Sequence, residues 1–246
     1  MKIQLCGHVA IEARGERLES RLPGRQGRLL FVYMAAHRIK PLARDELIEA
    51  IWPEEPPPAA DVALRALLSK LRRVLGDAAL EGADPVRAIL PGAWIDLEAA
   101  HEAIHGAESA IALREWARAW SSSQTALFTA RRGFLPGEES AWIDDIRRDL
   151  DDLHVRALEC YVEASLGTGG TEISTARRAA RELVSLAPFR ESAYRLLMEA
   201  FVAEENPAEA LRVYERLRTL LREELGTYPS AETQSLHERI LRSAPA

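Results

Sequence analysis

The chain has 246 residues, 47% of them hydrophobic, and a formal net charge of −6. That length and apolar content suffice for a buried core and two domains. No apolar run approaches the roughly 18 residues of a membrane span, and the opening MKIQLCGHVAIEARG reaches charge before any secretory apolar core, so a cytoplasmic (nucleoid-associated) protein without a membrane partner is expected. Two cysteines, Cys6 and Cys160, stand far apart in no ligand spacing, which points to reduced thiols and to neither a disulfide framework nor a metal site. The acidity is uneven: residues 1–96 hold 14 Lys and Arg against 13 Asp and Glu, the remainder 18 against 25.

From the start of the chain, alternation of Ile3, Leu5, Val9 and Ile11, with Leu18 and Leu22 around a Gly15-Glu16 turn, predicts a small antiparallel sheet. Helical spacing follows over Arg25–His37 and again over Leu42–Trp52. The second block is closed by Pro53 and by Pro56-Pro57-Pro58, a stiff extended connector.

Ala59–Gly76 is the most informative stretch. On a helical wheel Leu64, Leu67, Leu68, Leu71, Val74 and Leu75 share one arc, and Arg65, Ser69, Arg72 and Arg73 lie opposite. By itself such a basic amphipathic helix is more often a solvated surface helix. Its neighbours give it meaning. Val86–Leu90 and Ala93–Leu97 are short strand-forming runs around a Pro91-Gly92 turn, and helix, connector, basic helix, hairpin is the order of a winged helix-turn-helix. Phosphate attraction depends on the local field, and within Ala59–Gly76 Arg65, Lys70, Arg72 and Arg73 face the single acid Asp61.

Beyond Glu98 the pattern is helical: Ser109–Ala130, Glu138–Leu166, Ser174–Leu186, Glu191–Ala203, Ala208–Leu225 and Ala231–Arg242, separated by Gly and Pro signals. Tyr194, Leu197, Phe201, Ala210, Tyr214 and Leu217 follow tetratricopeptide-like spacing, and Ala176, Ala180 and Leu183 precede Ala210, Tyr214 and Leu217 by 34 residues. The fold class expected is mainly α with a small β component: a winged helix-turn-helix with a strand platform over 1–97 and a tetratricopeptide-like helical array over 98–246. Arrays of this kind use their surfaces for partners.

The segment from Pro41 to Gly76, the Phe134-Leu135-Pro136-Gly137-Glu138 turn followed by Trp142, the Glu223-Glu224-Leu225-Gly226 helix end with Pro229, and Leu236-His237-Glu238-Arg239-Ile240-Leu241 closely resemble the SARP family of antibiotic-pathway regulators. The resemblance covers nearly the whole chain. It implies an OmpR-like winged helix followed by a bacterial transcriptional activator domain, in a protein that binds double-stranded promoter repeats as a homodimer and recruits RNA polymerase holoenzyme. It also implies the short form of the family, without the ATPase and sensor modules of larger relatives. No cofactor is implied.

Position by position, Ser69, Lys70, Arg72 and Arg73 match the S-[RK]-L-R-[RK] stretch of the family's recognition helix. The basic residues are expected to clamp phosphates, while Ser69 can donate to a phosphate or a base edge. Arg65 stands where a polar residue is usual and is a candidate guanine reader. Arg44 and Arg87 are candidate backbone contacts. The chain departs from the pattern at Val62, commonly Asn, at Leu67, often His or Tyr, and at Ala93-Trp94, usually Gly-Tyr. Asp61 would repel phosphate unless it caps the helix or accepts from cytosine.

Two other readings remain open from sequence. One is a degenerate interaction module without specific DNA binding. The other is a zinc peptidase, because His101-Glu102-Ala103-Ile104-His105 is a literal H-E-x-x-H; it lacks any other feature of that class, and no other nucleophile or paired-carboxylate pattern accompanies it. The acidic helix Glu138–Asp152 is either a face for a basic polymerase partner or a solvated surface.

Overall fold

A computed structural model describes residues 1–243. The chain forms two compact units, Met1–Ala100 with Thr129–Leu150, and His101–Phe128 with the residues from Asp151 onward.

In the first unit, β1 (Lys2–Gln4), β2 (Ala10–Ala13) and β3 (Glu16–Arg17) form the expected platform, antiparallel from β1 to β2 and from β2 to β3, with Ile3 opposite Ile11. Ile3, Leu5 and Ile11 are fully buried, so one face of the alternation seats the sheet on the core. Leu18 and Leu22 are buried beside a turn of 3-10 helix at Glu19–Arg21, where the sequence suggested strand. α1 (Gly24–Ala36), α2 (Arg44–Ile51) and α3 (Ala60–Leu75) pack on one another, and Leu30, Leu47, Leu64, Leu68 and Leu71 lie between them. Each boundary falls within two residues of the periodicity.

The hairpin differs from expectation. β4 (Leu80–Glu81) pairs antiparallel with β5 (Arg87–Ala88) around a turn at 82–86, and Leu42 bridges Val86 beside it. Gly82 is required there: its φ is +83°, and a Cβ would lie 2.4 Å from the Pro85 carbonyl oxygen. The second run, expected to pair with the first, instead supplies β6 (Trp94–Ile95), which adds parallel to β1 at the sheet edge, while Asp96 and Leu97 already belong to α4 (Asp96–Ala112). The physical reason is the open edge of β1, which draws Ile95 beside Ile3 into the core. Asp96 completes the junction. Its buried carboxylate accepts from the Leu5 and Cys6 amides at 2.7 and 3.1 Å and from Arg132 at 3.0 Å. Burial raises its carboxyl above the usual range, against the lowering effect of those donors.

The segment 129–150 packs with this unit. Cys6 bridges Phe134, and the Gly7 amide donates to Gly133 O at 2.7 Å. Arg147 donates to the carbonyls of Phe134, Leu135 and Glu138, and Trp142 donates to Ala50 O at 3.0 Å while its ring meets Tyr33 and Phe134 edge-on. The Phe-Leu-Pro-Gly-Glu turn and its tryptophan are thus a structural clasp. Cys6 is buried, and burial, with the nearby Asp96 charge, pushes its thiol up to about 12.

The second unit is helical: the later part of α4, most of α5 (Trp116–Ala130), the later part of α6 (Ala141–Thr168), then α7 (Glu172–Leu186), α8 (Glu191–Ala203), α9 (Pro207–Leu225) and α10 (Ala231–Ser243). The single block read over 109–130 is two helices, separated at Leu113–Glu115 with Arg114 at a left-handed φ of +57°. α8 packs between α7 and α9, with α10 against α8 and α9. Tyr194, Leu197, Phe201, Ala210, Tyr214 and Leu217 are all buried, as the repeat spacing requires. α9 ends at left-handed Gly226, whose amide and that of Thr227 close the last turn, and His237 stacks on Tyr214 at 3.8 Å. No helix among the described residues is long and apolar enough to cross a membrane.

Candidate nucleic-acid interface

α3 presents its leucines inward and a mixed polar face outward. Val62, Ala66, Ser69 and Arg73, spaced by four, three and four residues, run in one line along the exposed side, with Arg65 and Lys70 flanking them. All six are exposed. Arg65, Lys70 and Arg73 make no ion pair or hydrogen bond with other described residues, and the same holds for Arg87 on β5. These four cations are available to an anion outside the chain.

The other two arginines predicted for DNA are engaged. The Arg44 guanidinium donates from Nε to Asp61 Oδ1 and from Nη2 to Asp61 O, each at 3.0 Å, and its side chain is 17% exposed. Its own amide lies 3.3 Å from Asp84 Oδ1 in the β4–β5 turn. Arg44 therefore ties the start of α2 to the first turn of α3 and to the wing. It also answers the question posed by Asp61. No side chain caps α3, and the Asp61 carboxylate in its first turn suits the helix dipole while its charge is offset by Arg44. Arg72 is half-buried and donates to Gly82 O at 2.9 Å and toward Leu80 O at 3.5 Å, stapling the wing to the end of α3. The sequence carried no signal for either partner.

The other expected features fall elsewhere. Trp94 is 47% exposed on the sheet edge and outside the β4–β5 hairpin. Leu67 is half-buried, so this position faces the helix-packing side. On α4, His101 is half-buried, Glu102 is exposed, and His105 lies 3.7 Å from Glu108. Among the described residues no group of three or more His, Cys, Asp or Glu is arranged to hold a metal ion.

Residues 95–241 match the family described as bacterial transcriptional activator domain. The chain is 31% identical over its whole length to the regulatory protein AfsR of Streptomyces coelicolor, of which it spans 25%, and 25% identical to the transcriptional regulatory protein MoaR1 of Mycobacterium tuberculosis, of which it spans 80%. The solved structure of Mycobacterium tuberculosis EmbR in complex with a low affinity phosphopeptide superposes with a TM-score of 0.85 at 26% identity, covering 100% of this chain and 66% of that one. A winged helix followed by a tetratricopeptide-like array, with unpaired cations along the exposed face of the third helix, is an architecture of the class that DNA-binding regulators use. The chain belongs to the bacterial transcriptional activator domain family, and within it to the SARP-type regulators.

Proposed function

We propose that the chain binds promoter repeats as a homodimer, with α3 in the major groove and the β4–β5 wing on the flanking backbone, and that it recruits RNA polymerase holoenzyme through residues 98–246. In this reading 1–97 is the DNA-binding domain and 98–246 the activator domain. Arg65, Lys70, Arg73 and Arg87 meet phosphates or bases, Ser69 donates to either, and Arg44 and Arg72 hold the reading helix and wing in register. The observation that carries the reading is the division of labour on α3, where Arg65, Lys70 and Arg73 are free while Arg72 is bonded to the wing. Phosphate contacts set affinity and orientation, so preformed bracing keeps the entropic cost of docking low.

The test is equilibrium binding of the purified chain to duplex fragments of its own gene neighbourhood at two salt concentrations, beside Lys70→Ala/Arg73→Ala. Fragment-selective binding that weakens steeply with salt and is reduced in the variant supports the reading. Equal, weak binding to every fragment overturns it in favour of an interaction module without sequence reading.

A further inference from the structure

The centre line of the exposed α3 face begins with an apolar side chain. Val62 is 63% exposed, one helical turn before the exposed methyl of Ala66. On a helix a valine holds one side-chain rotamer in most cases, so this isopropyl group is a rigid knob that loses little freedom on contact. The turn beneath it is fixed, because Arg44 holds both the carboxylate and the carbonyl of Asp61. Arg44 takes one Asp61 carboxylate oxygen, Oδ1, and offsets its charge.

Resting on the DNA-binding reading above, we infer that Val62, supported by Ala66, is a specificity-determining residue that selects thymine by contact with its 5-methyl group. In the major groove thymine alone among the four bases offers an apolar group, and the N-terminal residues of a recognition helix are those that reach base edges. A side chain without donor or acceptor also rejects the alternatives, since it leaves an adenine or cytosine amino group dehydrated and unpaired. The flanking Arg65 and Lys70 supply attraction without filling this position.

The experiment selects binding sites from randomised duplexes with the full-length chain, then replaces each thymine of the selected site by deoxyuridine, which removes only the methyl group. The expected result is about fourfold weaker binding at one or two thymines of each half-site, the effect of one methyl group losing a dry contact. Val62→Ala loses that sensitivity at the same thymines while keeping its salt dependence and melting temperature. Val62→Asn, reselected, changes the preferred base there to adenine. A scan that is flat at every thymine, or a Val62→Ala protein that keeps the wild-type scan, overturns the inference and leaves the DNA-binding reading standing. Failure to enrich any sequence overturns both.

Discussion

Arg72 and Arg73 are adjacent in sequence and do different things, and replacing them one at a time separates the two roles. If Arg65, Lys70, Arg73 and Arg87 each neutralise one phosphate, log affinity falls with log salt at a slope of about −3.6 per protomer. Arg73→Ala removes one contact and brings the slope to about −2.7, and with no partner inside the chain it leaves stability within about 0.5 kcal/mol. Arg72→Ala removes the bond to Gly82 O at 2.9 Å and the marginal one to Leu80 O at 3.5 Å. The loss is set at the lower end for a charged hydrogen bond, about 1.5 kcal/mol, or roughly 6 °C in the melting temperature of the first unit. Amide exchange at Leu80–Ala88 should accelerate with it. Binding of Arg72→Ala weakens through the loosened wing, but its salt slope stays near −3.6. Fluorescence anisotropy from about 50 to 200 mM salt, with thermal melts, measures both. An Arg72→Ala protein with an unchanged melt and a slope reduced by about 0.9 would refute the assignment of this guanidinium to the wing.

Three further outcomes follow from the packing. Asp96→Ala strands the Leu5 and Cys6 amides and takes from Arg132 its carboxylate partner, which should cost about 3 kcal/mol in chemical denaturation, and Asp96→Asn less because it keeps an acceptor. A Cβ at Gly167 would lie 2.4 Å from the Trp116 ring, so Gly167→Ala should destabilise the helical unit by about 1–3 kcal/mol, and pairing it with Trp116→Leu should recover part of that loss. Burial tends to raise the Glu191 carboxyl, but donors from Thr233 and Ser230 at the start of α10 outweigh it and hold the group below its ordinary 4.5. Its folded-state affinity for a proton is thus lower than in the unfolded chain. Its stabilising contribution is present above pH 4.5 and is lost as pH falls through the depressed value. Glu191→Gln should melt lower than wild type at pH 7, with the difference shrinking below pH 4.5 in circular dichroism melts.

Much of this architecture was legible because periodicity reports burial directly. The α3 arc buries Leu64, Leu68 and Leu71, and the tetratricopeptide-like positions are core. What escaped the sequence depends on partners distant along the chain or on backbone states without a residue signature. The break between α4 and α5 falls on a left-handed arginine instead of glycine or proline, so no punctuation marks it. The wing was misplaced because Pro91-Gly92 is as good a turn signal as Gly82–Pro85, and only the open edge of β1 decides which strand pairs where. The grouping of 129–150 with the N-terminal sheet rests on Cys6 meeting Phe134, a pairing that local pattern does not encode.

The same limit governs the charges. A wheel counts Arg65, Lys70, Arg72 and Arg73 alike and sets Asp61 against them. The structure instead cancels Asp61 with Arg44 from the neighbouring helix and commits Arg72 to backbone carbonyls. The field outside α3 then comes chiefly from Arg65, Lys70 and Arg73, with the acid of its first turn neutralised in place. A net charge of −6 therefore says little about the local field, because the surplus acids lie after residue 96 while the exposed face of α3 carries cations without partners inside the chain. With charge supplying attraction along the flanks, the centre line is free to carry shape. An exposed valine there is the group whose removal from water by a thymine methyl would turn general phosphate affinity into sequence preference.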